Sequence, residues 1–127
     1  MKSADIDLFE KLNAQLDGLH QEISTLTRKS PNDAVNAFKL GLINTILEKC
    51  NELLGDDFRP FSDFSVFQLD AMPSNSDVNF ILSQYIECAE QFRSDNIFVK
   101  NGAWFWRVED SDDETRRTNI PKRFGKK

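Results

Sequence analysis

The stretch "NIFVKNGAWFWRV", Asn96 to Val108, holds both tryptophans of a chain of 127 residues and two of its eleven phenylalanines, arranged around an Asn-Gly pair. Asn-Gly supplies the two positive-φ residues of a type I′ turn, whose twist matches that of paired strands, so the stretch folds back on itself as a β-hairpin. The turn fixes the register: Lys100 faces Ala103, Val99 faces Trp104, Phe98 faces Phe105 and Ile97 faces Trp106. Side chains alternate along a strand, which puts Ile97, Val99, Trp104, Trp106 and Val108 on one face and Phe98 and Phe105 on the other. A lone ribbon is marginal in water, so the tryptophan face is expected to cover a core built elsewhere. The opposite face, with Phe98 and Phe105 between Lys100 and Arg107, is the candidate surface for a partner protein.

That core comes from helical periodicity upstream. Phe9, Leu12, Leu16, Leu19, Ile23 and Leu26 recur at alternating spacings of three and four, the seam of a coiled coil, and make a candidate homodimer interface. In "SPND", Ser30 to Asp33, a capping serine, a proline suited to the first helical position and an acid in the first turn predict the start of a second helix. Its apolar stripe runs through Val35, Phe38, Leu42, Ile46, Leu47, Cys50, Leu53 and Leu54, with Gly55 as its C-terminal cap. A third helix is expected from Ser74 and Asp77, spaced as a capping box, with Val78, Ile81, Leu82, Tyr85, Ile86, Ala89 and Phe92 inward. The fold class is therefore mainly α: three amphipathic helices in a small bundle closed by one C-terminal β-hairpin, a single domain over residues 1–108.

Between the second and third helices, "FRPFSDFSVFQLDAMP" spaces Phe58, Phe61, Phe64 and Phe67 three apart, with Pro60 and Pro73 barring one continuous helix. A short helix from Asp63 to Ala71, capped by Ser62, fits the segment. Its phenylalanines read as anchors of a long loop in preference to a docking segment.

The tail from 109 to 127 reads as disordered, with few apolar groups and opposed charge blocks. It carries five acids and six bases, while the rest of the chain holds sixteen acids and ten bases within an overall charge of −5. Arg116, Arg117, Lys122, Arg123, Lys126 and Lys127, with Phe124 to stack on a base, form a candidate nucleic-acid arm. With three helices and a hairpin, the arm supports an alternative reading as a winged-helix regulator, although Glu87 and Glu90 on the candidate recognition helix would repel phosphates.

Chemistry-bearing constellations are thin. His20, the one histidine, has no ligand-spaced neighbours. Asp110, Asp112, Asp113 and Glu114 resemble the start of a calcium loop, yet the sixth position is Thr115 and the twelfth Pro121, where Gly and Glu belong. Asp56 and Asp57 read as solvated helix-end acids. No phosphate loop, hydrolase elbow or zinc motif occurs, so neither an enzyme nor a cofactor is expected. The acidic, amphipathic start "MKSADIDLFEKLN" and two isolated cysteines, Cys50 and Cys88, point to a cytoplasmic protein with no membrane span. The functional expectation is a non-enzymatic protein-interaction module, a regulator, adaptor or inhibitor, that self-associates through the first helix.

Overall fold

A computed structural model describes residues 1–110 and 116–122. Three helices, α1 (Ser3–Lys29), α2 (Ala37–Phe58) and α3 (Asn75–Asp95), are followed by strands β1 (Ile97–Lys100), β2 (Ala103–Trp106) and β3 (Arg117–Thr118), and a 3-10 turn at Leu69–Ala71 precedes α3. The helices pack on one another, with α1 against α3 as the most extensive contact. Their shared core holds Phe9, Leu12, Leu16 and Ile23 of α1, Leu40, Ile43, Leu47 and Leu54 of α2, and Val78, Leu82, Tyr85 and Ala89 of α3. Mainly α with a small antiparallel sheet is thus the observed fold class.

The hairpin has the register its turn dictates, Ile97 to Trp106 through Lys100 to Ala103, with Asn101 at φ 53° and Gly102 at φ 80°. Burial within its inner face is uneven. Ile97 and Trp106 are in the core, and the Trp106 ring meets Phe9 edge-on at 5.4 Å. Trp104 is half-buried against the core, and Val99, opposite it and nearer the turn than Ile97, is exposed. The ribbon also gains a third strand: β3 pairs antiparallel with β2, Trp104 opposite Thr118 and Phe105 opposite Arg117.

Helix starts correct one expectation and agree with another. Ser74 caps α3 by accepting from Asp77 N at 3.1 Å. The "SPND" segment, in contrast, forms a turn, with Ser30 N bonded back to Leu26 O at 2.8 Å, and α2 begins only at Ala37, capped by Asn36 accepting from Lys39 N at 2.8 Å. Long-range hydrogen bonds outcompete the local cap. The Asp33 and Pro31 carbonyls accept from Asn75 N (2.8 Å) and Ser76 N (3.0 Å), the first donors of α3, and Val35 N reaches Pro73 O at 3.0 Å. Those helix-end N–H groups have no partner within their own helix, so a neighbouring loop that offers carbonyls is held there.

At the other end of α2, Gly55 adopts φ 69° and interrupts the helix, after which one more turn closes through Arg59 N to Gly55 O. The expected helix over 63–71 shrinks to the 3-10 turn. Side chains of α2 and Arg59 take the backbone groups that such a helix would need: Asn44 exchanges two hydrogen bonds with the Phe67 backbone (2.8 and 2.9 Å), Asn51 donates to Ser65 O, and Arg59 donates to Phe61 O and Phe64 O. Phe58, Phe64 and Phe67 pack against the core, and Phe61 lies 6.4 Å from Phe80, so the segment is an anchored loop.

Candidate functional site

The coiled-coil seam is satisfied inside the chain. Phe9, Leu12, Leu16 and Ile23 are at most 3% exposed, and Leu19 and Leu26 pack partly buried against the same core. Its partners are α2 and α3, so the seam packs within the chain and is not the continuous open stripe of a coiled-coil dimer, although Leu19 and Ile23 also line a groove at the edge between α1 and α2.

On the outer face of the hairpin, the Phe98 and Phe105 rings lie tilted against each other with centroids 5.8 Å apart, both half-buried. Arg117 of β3 sits over the Phe105 ring at 5.7 Å, a cation–π contact that covers part of the patch. Lys100 and Arg107 are exposed beside it, and Arg107 Nη1 donates to Asp95 O at 3.0 Å.

The tail is not free throughout. From Arg116 to Lys122 it forms a strap along β2 and α3, held by Arg93. All five guanidinium N–H donors of that side chain are used: Nε and Nη2 grip the Glu90 carboxylate (2.9 and 2.8 Å), Nη1 serves Thr118 Oγ1 and Asn119 O (both 2.8 Å), and Nη2 also reaches Ile120 O (3.0 Å). Glu90 then accepts from Lys122 N at 2.7 Å, and Pro121 is buried. Burial alone would push the Glu90 carboxyl up, but the Arg93 side chain, the Lys122 backbone donor and both positive charges hold it below its ordinary value. These hydrogen bonds to the buried Arg93–Glu90 pair, with the pairing of β3 to β2, correct the expectation of a loose arm for residues 116–122.

This placement scatters the candidate nucleic-acid residues. Arg116 bonds Asp7 (2.7 Å) and Glu10 (2.8 Å) and Arg93 is buried, whereas Arg117 covers Phe105 on the sheet face that also carries Lys100 and Arg107. Arg123, Phe124, Lys126 and Lys127 lie outside the described residues, as do Asp112, Asp113, Glu114 and Thr115 of the acidic run. The exposed residues of α3 include Asp77, Glu87 and Asp95, which suit a phosphate backbone poorly.

A cleft of about 370 Å³ opens between α1, α3, β2 and the strap, walled by Glu10, Asp17, Asn13, Glu90, Asn119 and Lys122. Two of its carboxylates are already engaged, Glu10 with Arg116 and the Trp106 indole (3.2 Å), and Glu90 with Arg93. Among the described residues, no group of three or more His, Cys, Asp or Glu could hold a metal ion. Burial pushes the Cys50 thiol up to about 12, and Cys88 is raised in the same direction, so neither is an activated nucleophile.

One surface escaped the sequence reading. Phe38 is 76% exposed and Leu42, one turn later, 49% exposed. Beside them an apolar groove of about 210 Å³ runs between α1 and α2, walled by Leu19, Ile23 and Ile43. The expected stripe placed Phe38 and Leu42 inward; the core takes Leu40 and Ile43 in their place and holds Leu47, Cys50 and Leu54 as expected. The signal was present as a surplus, since α2 has a second line of large apolar residues beyond the one stripe a two-sided bundle needs.

No family model matches the chain. Searches of curated proteins and of solved structures likewise found no match. No described helix is long and apolar enough to cross a membrane.

Proposed function

We propose that the protein is a non-enzymatic protein-interaction module whose docking surface is the groove between α1 and α2. The observation that carries this is the exposure of Phe38 and Leu42, large apolar side chains one helical turn apart, at the edge of an apolar groove. Scattered apolar residues on a surface are ordinary, but a contiguous apolar face with a concavity is the composition of a contact site. Two free cysteines, Cys50 buried and Cys88 half-buried, suit work in a reducing compartment such as the cytoplasm.

The test is retention from native-host lysate on the tagged chain, compared with Phe38→Ser and with the hairpin variant Phe98→Ser. A protein held by the unmodified chain and by Phe98→Ser but lost from Phe38→Ser supports the groove. Loss only from Phe98→Ser transfers the function to the hairpin face. A nuclease-sensitive component retained in place of protein revives the nucleic-acid alternative.

A further inference from the structure

Resting on the groove as the docking surface, we infer that its occupant is Phe38 of a second copy of this chain, in a twofold-symmetric dimer. Knob and hole lie on one face. Phe38 projects from the first turn of α2, away from the core that Leu40 and Ile43 enter. The groove next to it, floored by Ile23 and Ile43, has a volume of about 210 Å³. A cavity of roughly 150 Å³ takes a benzene ring, so a phenylalanine side chain fits this one. A surface that carries both a protruding ring and a hole of its size is self-complementary, which is the condition for a closed, isologous pair.

The charges permit the same occupant. Among the groove-lining residues the charged ones are Glu22 on α1 and Lys39 on α2, paired with each other across its edge. A wall with one charge of each sign has no preference for a basic or an acidic segment. Under a twofold rotation it meets its own image, where Glu22 and Lys39 exchange partners between copies and no like charges need face each other.

Light scattering and sedimentation of the full chain test the inference, with Phe38→Ser as the variant. Because Phe38 is exposed, the variant keeps the thermal midpoint of an isolated protomer, so lost association is not lost folding. The unmodified chain is expected to show a dimer mass, and Phe38→Ser to raise the dimer dissociation constant on the order of a hundredfold, since each dimer loses two aromatic anchors. As a second measurement, Glu22→Lys and Lys39→Glu are expected to form more dimer when mixed than either does alone, which only pairing between copies produces. A dimer unaffected by Phe38→Ser overturns the inference, and so does a monomer at high micromolar concentration. In the monomer case, the lysate experiment separates the two claims: a different protein lost with Phe38 leaves the groove standing as the docking surface, and none leaves neither.

Discussion

At the scale of single residues, the most consequential side chain is Arg93, which commits every donor to Glu90 and the strap. Arg93→Ala should cost about 3–5 kcal/mol in urea denaturation, because it leaves a buried carboxylate without its partner. Replacing both members, with Glu90→Gln and Arg93→Met, should cost clearly less than Arg93→Ala alone. Acid titration checks the same pair. Glu90 is held below its ordinary value of 4.5 when folded, so its contribution is complete above about that pH and is lost as pH falls through the lower folded value. Stability should therefore decline on acidification through this window, and Glu90→Gln should flatten that part of the profile. The tryptophans divide at this scale too. Trp106 is 1% exposed and meets Phe9 edge-on, whereas Trp104 is half-buried. Trp106→Ala should cost about 3–5 kcal/mol and Trp104→Ala roughly half of that, measured by the same denaturation.

At the scale of elements, two glycines should respond to alanine in opposite directions. Gly41 lies inside α2 and a Cβ there meets nothing within 4 Å, so Gly41→Ala should stabilise by about 1 kcal/mol. Gly102 has φ 80° in the hairpin turn, and Gly102→Ala should destabilise by about 1 kcal/mol or more through strain at that angle. Both are read from thermal midpoints. The contrast between these positions also marks what sequence could reveal. The Asn101-Gly102 turn and the Ser74 cap of α3 were legible because residue type and backbone geometry are coupled within four residues. The Ser30-Pro31 cap was equally plausible locally, yet it yields to carbonyl contacts with Asn75 and Ser76, more than forty residues away, which no short window contains. Phe38 and Leu42 were misplaced for a related reason. Periodicity reports that apolar stripes exist, while only the neighbouring helix determines which stripe is covered. Of the candidate sites, the Phe98 and Phe105 pair could be placed on its face from register alone, and the Arg117 cover over it could not.

For the whole molecule, the strap decides where the domain ends. A chain read by composition stops at Val108, since the residues beyond it are charged and poor in apolar groups. The fold reaches further because the cost of ordering residues 116–122 is met by directional contacts in place of apolar area. Two ladder pairs with β2, Trp106 N to Arg116 O at 2.9 Å, and the Arg93 and Glu90 contacts tie it to α3 and β2. Deleting residues 116–127 should therefore destabilise the protein. The deletion strips Arg93 of three acceptors and Glu90 of one donor at a buried position, and it uncovers the edge of β2. With a net of about 1 kcal/mol for each such hydrogen bond, offset by the chain entropy regained, the loss should be on the order of 3 kcal/mol, or about 10 °C in the thermal midpoint. A deletion of 123–127 alone, which removes none of these contacts, is the control and should leave the midpoint within a degree or so of its original value. Hydrogen exchange on the 116–127 deletion should locate the damage, with protection lost first at the β2 amides and at the C-terminal turn of α3, and kept in α1 and α2. Equal midpoints for the two deletions would mean that the strap contributes nothing to stability, and that the Arg93–Glu90 pair is satisfied by water once the strap has gone.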